Sequence, residues 1–270
     1  MAIKICNLNF TYSNGYQALI DINLNIKKGK KTAILGLNGS GKTTLLYHLN
    51  GMHLPQTGSV EVFNLPVKQE NLAHIRRKVG FLFDYPDHQI FSTTVYNDIK
   101  FGLDNYRFPE DEKEPRIRNI AKALQIESLL SFPPYQLSLG QKKKVAIAGL
   151  LVLEPSMIVC DEPFSGLDGP SLVYFKSLLD DWVKADKTIV FSTHDVDLTY
   201  EWAEEVVVLH AGKIIEAGPV EEVLTKEEVY VRAGLTKPLL YELFSHFNCK
   251  PRNITQAKEL LAKFSLEYKG

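Results

Sequence analysis

The sequence has few cysteines, almost no net charge and no long apolar run, and each shortage excludes a class of protein. The three cysteines, Cys6, Cys160 and Cys249, lie far apart, without the spacing of a disulfide framework or a zinc site. The net charge of −1 gives no reason to expect a nucleic-acid partner. No segment approaches the roughly 18 consecutive apolar residues that a membrane helix needs. The start of the chain, "MAIKICNLNF", lacks a signal peptide's apolar core. We therefore expect a soluble, cytoplasmic protein that is still able to dock on a membrane protein.

The order of the predicted elements favours an α/β fold. The first 35 residues alternate apolar and polar side chains, which predicts an antiparallel β subdomain leading into a buried strand at Thr32–Leu35. Strands and helices then alternate from about residue 30 to 200, as expected for a layered core with a largely parallel sheet. A charged, helical segment over 93–130, interrupted at "FPEDEKEP", predicts a helical subdomain. From about residue 222 the pattern changes to short helices, which predicts a small C-terminal appendage.

A glycine-rich loop carries the first chemical signal. The stretch "GLNGSGKTT" fits the phosphate-loop pattern G-x-x-x-x-G-K-[ST] through Gly36, Gly41, Lys42 and Thr43. It follows a predicted strand and opens a helix predicted from Lys42 to about Asn50, which is the context the pattern requires. Backbone N–H groups of such a loop bind phosphate oxygens, the lysine reaches the outer phosphates, and the threonine hydroxyl faces Mg²⁺.

The residues expected to bind ATP through this loop are Asn38, Gly39, Ser40, Gly41, Lys42, Thr43 and Thr44. A glycine-rich turn with a chance lysine is the alternative, and the strand–loop–helix context disfavours it. The loop alone does not distinguish a kinase, a GTPase, a motor and a transporter ATPase.

Two acids and a histidine follow later apolar strands. Asp161 and Glu162 come directly after "MIVC", where the first acid of a P-loop protein holds Mg²⁺ and the next can act as general base for water. His194 follows "KTIVFST" and is placed to bond a γ-phosphate oxygen or the attacking water. Acids at strand ends also cap turns, and single histidines are often incidental. The presence of the phosphate loop in the same chain favours a catalytic role for Glu162, His194 and Lys42.

The stretch "LSLGQKKKVAIAGLL" resembles the signature of ATP-binding cassette ATPases, usually L-S-G-G-Q, and "SGLD" resembles their dimer-contact loop. Together with the motifs above, the resemblance covers about residues 1–220 and implies a P-loop NTPase cassette. It also implies a head-to-tail dimer in which Ser138, Gly140 and Gln141 face ATP bound by the partner, while Asp168 lies in the dimer loop. Tyr12 matches the aromatic residue that stacks on adenine in this family, although an exposed strand tyrosine is the alternative.

A narrower resemblance is to the ATPase subunits of energy-coupling factor importers, which take up vitamins or cobalt and nickel ions. The stretch "YPDHQIF" keeps their pattern, and the tail after residue 225 resembles their subunit-pairing domain. The resemblance implies that Gln89, Ile90 and Phe91 line a groove for a membrane subunit. Val95 and Ile99 extend the apolar patch of Ile90 and Phe91; the alternative is that all four residues pack the helical subdomain, and Phe91 is the strongest candidate for the groove.

Two positions depart from the family pattern. Asp84 stands where a glutamine is expected to touch Mg²⁺ or the attacking water; an acid is a workable Mg²⁺ ligand but adds negative charge near the γ phosphate. Leu139 replaces the first signature glycine. Both departures suggest a chain that pairs with a second, more regular ATPase subunit.

The resulting prediction is an ATPase domain at 1–221 and a pairing appendage at 222–270. With ATP and Mg²⁺, the protein is expected to power a vitamin or transition-metal importer from the cytoplasmic face of the membrane, as a peripheral subunit. The first alternative is a regulatory nucleotide-binding partner with little hydrolysis of its own. The second, a soluble cassette ATPase of DNA repair or translation, is disfavoured because the chain has one cassette and no coiled-coil insertion.

Overall fold

Two β-sheets and the helices around them make up the fold; the computed structural model describes residues 1–247 and 249–267. The strands, in chain order, are β1 Ile3–Thr11, β2 Gln17–Ile26, β3 Lys31–Leu35, β4 Thr57–Val62, β5 Leu65–Pro66, β6 Val79–Leu82, β7 Met157–Cys160, β8 Thr188–Thr193, β9 Glu205–His210 and β10 Lys213–Pro219. The helices are α1 Lys42–Leu49, α2 Leu72–Lys78, α3 Val95–Asn105, α4 Glu110–Ala123, α5 Leu139–Leu151, α6 Gly169–Lys184, α7 Val196–Trp202, α8 Val220–Val223, α9 Glu227–Ala233, α10 Leu239–Leu243 and α11 Ile254–Glu267.

The larger sheet has the strand order β10-β9-β3-β8-β7-β6 within the described part of the chain. Strands β9, β3, β8, β7 and β6 run parallel, and β10 pairs antiparallel with β9. The smaller sheet, β2-β1-β4-β5, is antiparallel. Because the parallel strands all point the same way, the residues that follow them meet at one edge of the larger sheet.

The larger sheet separates two hydrophobic cores. Alternate residues of β3 illustrate this, since successive side chains of a strand point to opposite faces. Ala33 and Leu35 belong to the core shared with the helical layer of α3–α7, whereas Ile34 belongs to the core shared with the antiparallel sheet and α1. The predicted α/β architecture with an antiparallel β subdomain is therefore confirmed.

The helix predicted after the phosphate loop is present, and the predicted break in the charged helical segment is shorter than expected. The helix predicted from Lys42 is α1, which ends at Leu49. The helical segment is interrupted where "FPEDEKEP" begins, between the end of α3 at Asn105 and the start of α4 at Glu110, but the break is shorter than predicted because α4 continues through Pro115. Three acidic residues lie in its first turn, where negative side chains stabilise a helix N-terminus, so the charged run starts a helix instead of breaking one.

The segment after β10 continues the helical layer. Helix α9 contributes Val229, Tyr230 and Ala233 to the same core as the helices of the main body. Further along, the Arg252 guanidinium donates hydrogen bonds to the backbone carbonyls of Tyr200 and Ala203, which holds this segment against the end of α7. The division of the chain at residue 221 stays a prediction, and residues 268–270 of the predicted appendage lie outside the described residues. Nowhere in the described residues does a helix combine the length and apolar character needed to cross a membrane.

Candidate active site

Four parallel strands bring the predicted site residues together at one edge of the larger sheet. The phosphate loop follows β3, and Asp84 lies two residues beyond β6. Asp161 and Glu162 directly follow β7, and His194 directly follows β8. These residues are far apart in sequence, so the parallel register of the strands creates the site.

The phosphate loop is shaped by glycines at close approaches. A Cβ on Gly36 would lie 2.2 Å from the carbonyl oxygen of Leu209 and 2.7 Å from the Ser40 hydroxyl. Gly41 has φ +104°, which L side chains rarely adopt, and a Cβ there would lie 2.6 Å from the Ala18 carbonyl. The Ser40 hydroxyl is buried and has no hydrogen-bond partner among the described residues. A buried, unpaired hydroxyl beside free loop N–H groups suits a phosphate group as its missing partner.

Lys42 lies deep in this loop, with 7% of its side chain exposed. Its ammonium donates hydrogen bonds to the carbonyl oxygens of Gly36 and Leu37, at 2.9 and 3.3 Å. The Glu162 carboxylate lies 3.6 Å from the same ammonium. The loop therefore holds a positive charge at its centre, in the position to meet a phosphate oxygen.

The side chains of Thr43, Asp161 and Ser192 are joined by hydrogen bonds beside the loop. The Thr43 hydroxyl donates to one carboxylate oxygen of Asp161 at 2.7 Å, and the Ser192 hydroxyl donates to the other at 2.5 Å. Asp84 lines one cavity together with Thr43 and Asp161. Mg²⁺ prefers oxygen ligands and is usually held by a few carboxylates and hydroxyls together with substrate phosphates. The donor set of Thr43, Asp161 and Asp84 therefore fits Mg²⁺.

Glu162 has a strained backbone and a well-defined side-chain position. Its φ of +42° is in the left-handed region, which costs energy for a residue with a Cβ. The backbone N–H of Glu162 donates to the Ser192 hydroxyl at 2.9 Å. One Glu162 carboxylate oxygen lies 3.1 Å from Nδ1 of His194, the ring of which is more than half exposed. The carboxylate is thus aimed between the loop lysine and the histidine.

Asp84 adds a third carboxylate to this edge of the sheet. Burial is the largest influence on its pKa and raises it; the nearby Lys143 ammonium lowers the pKa, while Asp161 and Glu162 raise it. The net pKa of Asp84 is above its ordinary value, so the site resists a further negative charge. Burial lowers the pKa of the Lys143 ammonium below its ordinary value, and the nearby Asp84 carboxylate partly opposes this shift.

One open cavity of about 260 Å³ collects most of the predicted ATP and Mg²⁺ residues. Its lining residues are Tyr16, Asn38, Gly39, Gly41, Lys42, Thr43, Thr44, Asp84, Asp161 and Glu162. His194 lines an adjoining cavity of about 280 Å³, which shares Glu162 with the first. Ser40 is buried in the loop itself.

Two tyrosines of one turn approach the loop, and only one was predicted to do so. Tyr12 is half-buried, packs edge-on against Phe10 and shares a hydrogen bond of 2.9 Å with the Thr44 hydroxyl. Tyr16, which the sequence reasoning missed, lines the cavity, and its hydroxyl donates to the Gly39 carbonyl at 3.0 Å. The turn between β1 and β2 could have indicated Tyr16. The N–H of Tyr12 donates to the carbonyl of Tyr16 there, so both tyrosines belong to the same hairpin.

The predicted signature and dimer-loop residues lie outside the cavity of their own chain and cap two helices. Ser138 and Gln141 form a reciprocal capping box at the start of α5, which leaves the first turn of that helix well ordered. Asp168 accepts a hydrogen bond from the backbone N–H of Ser171 at 2.8 Å and caps α6, and this bonding lowers its pKa. Their contact with a partner's nucleotide stays a prediction.

The parallel sheet, the glycine loop and the acid pair define a P-loop nucleotide-hydrolase core. Comparison with known proteins narrows the class: residues 19–165, more than half of the chain, match the family model described as "ABC transporter". The chain therefore belongs to the ABC transporter family and is one of its ATPase cassettes.

Individual relatives agree with this assignment. The "Energy-coupling factor transporter ATP-binding protein EcfA" of Carboxydothermus hydrogenoformans is 40% identical over 267 residues, which covers 98% of both chains. The solved structure of cbiO1 from Clostridium perfringens, described as part of the ABC transporter complex cbiONQ, is 40% identical with a TM-score of 0.76 and covers 90% of this chain and 98% of that one. The ATP-binding cassette MJ0796, solved as a dimer bound to ADP and Pi in a post-hydrolysis state, is 30% identical with a TM-score of 0.74, covering 81% of this chain and 98% of that one. The predicted fold, the ATPase assignment and the resemblance to energy-coupling factor ATPase subunits are confirmed.

Proposed function

We propose that this chain is the ATP-hydrolysing subunit that powers an importer of the energy-coupling factor type. The observation that carries the proposal is the convergence of Lys42, Asp161, Glu162 and His194 on one sheet edge, beside a loop with an unpaired buried hydroxyl. The names of the relatives support the transporter type. The chain would act as a peripheral subunit at the cytoplasmic face of a membrane. The cargo, a vitamin or a transition-metal ion, would be chosen by other subunits.

Each residue has a distinct task in the proposed reaction. The loop N–H groups and the Lys42 ammonium bind and orient the outer phosphates of ATP. Thr43 and Asp161, with Asp84 beside them, would hold Mg²⁺, which supplies charge neutralisation on the phosphates. Glu162 accepts a proton from the attacking water, and His194, 3.1 Å away, orients the Glu162 carboxylate and can donate to a γ-phosphate oxygen. Tyr16, which lines the cavity, and Tyr12, which is bonded to Thr44 beside it, are the aromatic residues available to the base and ribose.

A two-subunit arrangement completes the site in the proposal. Ser138 and Gly140 lie at the N-terminus of α5, where free N–H groups and the helix dipole favour an anion. In a head-to-tail dimer they would face the γ phosphate held by a second ATPase subunit, and Asp168 would lie at the contact. The dimeric cassette bound to ADP and Pi supports this arrangement.

Reconstitution tests the proposed function. The full chain, a second cassette ATPase and an energy-coupling factor membrane subunit are assembled in proteoliposomes, and ATP hydrolysis is measured with and without the membrane subunit. Faster hydrolysis in the assembled complex is expected. Hydrolysis that is indifferent to every such membrane subunit would contradict the importer assignment.

A second candidate, a regulatory nucleotide-binding partner of low activity, is favoured by Asp84 and by Leu139. Asp84 brings extra negative charge, and Leu139 is 41% exposed where the family pattern has glycine. Mixing this chain with a regular cassette subunit and substituting Glu162→Gln in this chain alone separates the two functions. Unchanged hydrolysis by the mixed pair favours the regulatory role.

Asp84→Asn is expected to tighten ATP binding. The substitution removes a negative charge from the cavity while an amide oxygen stays in place as a ligand for Mg²⁺. Relief of about 1 kcal/mol of repulsion corresponds to an about fivefold lower dissociation constant for ATP. Titration with a fluorescent ATP analogue measures it, with the exposed Asp186→Asn as the control. Weaker binding by D84N would show that the charge is needed to hold the metal.

Phe91→Ala is expected to weaken attachment to the membrane subunit without changing ATP affinity. Phe91 is 67% exposed, meets Phe101 edge-on with ring centroids 4.8 Å apart, and lines an apolar groove of about 230 Å³ together with Gln89 and Ile90. Gln89 is held by its side-chain donation to the Ala146 carbonyl at 3.0 Å. Removing an aromatic anchor from an interface commonly costs more than about 1 kcal/mol, or at least about fivefold in affinity.

Copurification with the membrane subunit measures this effect, and Leu54→Ala, at an exposed apolar residue on the antiparallel side, is the control. Equal loss of attachment in both variants would contradict the groove assignment. Val95 and Ile99 do not belong to the groove: both are completely buried among the helices, so for these two residues the alternative of packing inside the helical subdomain is confirmed. Their spacing of four residues gives α3 an apolar stripe, and that stripe faces the core.

A further inference from the structure

Lys143 is a buried cation whose hydrogen bonds go to backbone carbonyls, although the carboxylates of Asp84 and Glu162 are close enough to influence its pKa. The residue is 2% exposed, although lysine is rarely buried to this degree. Within residues 1–247 and 249–267, no carboxylate lies at ion-pair distance from its ammonium. The ammonium instead donates to three backbone carbonyls, those of Ser165 at 2.6 Å, Pro163 at 3.1 Å and Glu162 at 3.5 Å. Burying a charge is costly, so these bonds are what hold the ammonium in place.

The three carbonyls belong to the turn that begins with Glu162. Its backbone has a φ of +42°, a conformation that persists only when the surroundings hold it. The Ser192 hydroxyl accepts from its N–H, while its carbonyl accepts from the backbone N–H of Ser165 at 3.2 Å and faces the Lys143 ammonium at 3.5 Å. The orientation of the Glu162 carboxylate toward Lys42 and His194 depends on this strained backbone.

The same face of α5 touches this turn at a second point. Leu139 lies four residues before Lys143, so the two side chains share one helix face. A Cβ on Gly166, which has φ +69°, would lie 2.7 Å from the end of the Leu139 side chain. The residue that departs from the usual signature therefore packs closely over the turn that Lys143 binds.

We propose that Lys143 is a positioning residue for ATP hydrolysis, which fixes the carboxylate of Glu162 by binding the carbonyls of Glu162, Pro163 and Ser165. The proposal rests on the proposed role of Glu162 as general base. The hydrogen bonds of Lys143 also connect α5, which begins with the signature residues, to the turn after β7. In the basic run "KKK", Lys143 is buried, while Lys142 and Lys144 are half-buried and face Asp87 and the Tyr174 ring.

Lys143→Met tests the proposal in the full chain, because methionine has nearly the same length and no donor. Turnover at saturating ATP is expected to fall by about 10²-fold, as for a misplaced catalytic group. The dissociation constant for ATP is expected to stay within about twofold, because the hydrogen bonds of Lys143 in the described part of the chain go to the turn after β7 and not to the phosphate loop. The control is Lys144→Met on the same helix, whose ammonium lies 4.2 Å from the centre of the Tyr174 ring. If the methionine variant is not recovered as folded protein, Lys143→Gln is measured with the same expectation.

Amide hydrogen exchange supplies a readout that does not depend on activity. Faster exchange in residues 162–168, with unchanged exchange in 36–44, is expected for Lys143→Met. Glu162→Gln is assayed beside it. If E162Q keeps full turnover, the proposed role of Glu162 fails. If E162Q is inactive while K143M keeps wild-type turnover, or if K143M loses ATP affinity in parallel with turnover, the role of Lys143 alone is overturned.

Discussion

Glu162→Gln is expected to keep ATP bound and to lower turnover by about 10²- to 10⁴-fold, the usual contribution of a general base. The amide keeps the shape of the side chain but has no carboxylate to accept the proton from water. Its contact with His194 at 3.1 Å can be kept through the amide oxygen, so the site geometry is preserved. Affinity for ATP should be unchanged or higher, because a negative charge leaves the neighbourhood of the phosphates.

Single-turnover phosphate release and equilibrium ATP binding measure these two quantities separately. Glu154→Gln is the matched control, since that carboxylate is 71% exposed and pairs with Arg116 away from the cavity. Full turnover by E162Q would show that another group activates the water.

Lys42→Ala is expected to weaken ATP binding strongly and to lower hydrolysis with it. The ammonium is the charge that the phosphate loop encloses, and a hydrogen bond to a charged group contributes about 1.5–3 kcal/mol. That range corresponds to ATP binding that is weaker by about 10- to 150-fold. The substitution also removes the ammonium that lies 3.6 Å from the Glu162 carboxylate, which further disfavours an anionic ligand.

Isothermal titration of the full chain with ATP measures the effect. Lys28→Ala serves as control, because Lys28 lies in the turn before β3 and its partner is Asp186, 3.2 Å away. Unchanged affinity in K42A would mean that ATP binds elsewhere on the chain.

The phosphate loop and the acid pair could be predicted because their signals are local. Nine consecutive residues carry the loop pattern, and Asp161, Glu162 and His194 each follow an apolar strand. Parallel strands of one sheet must end at the same edge, so three separate motifs could be placed in one site without coordinates.

The residues that sequence reasoning missed depend on contacts between distant segments. The Tyr16 hydroxyl donates to the Gly39 carbonyl of the phosphate loop. The Ser192 hydroxyl of β8 donates to the carboxylate of Asp161, which follows the neighbouring strand β7. Lys143 looks like part of a solvated basic run, and only the packing of α5 against the turn after β7 buries it. The exposure of Val95 and Ile99 was undetermined for the same reason, since helical spacing gives an apolar stripe but not the surface that covers it.

Phosphate release from ATP by the wild-type chain, measured beside Lys42→Ala and Glu162→Gln in the same assembly, tests the proposed active site most directly. A site built from these residues predicts Mg²⁺-dependent release that both substitutions strongly reduce, with ATP affinity kept by E162Q and weakened about 10- to 150-fold by K42A. Release that survives either substitution at the wild-type rate would contradict it.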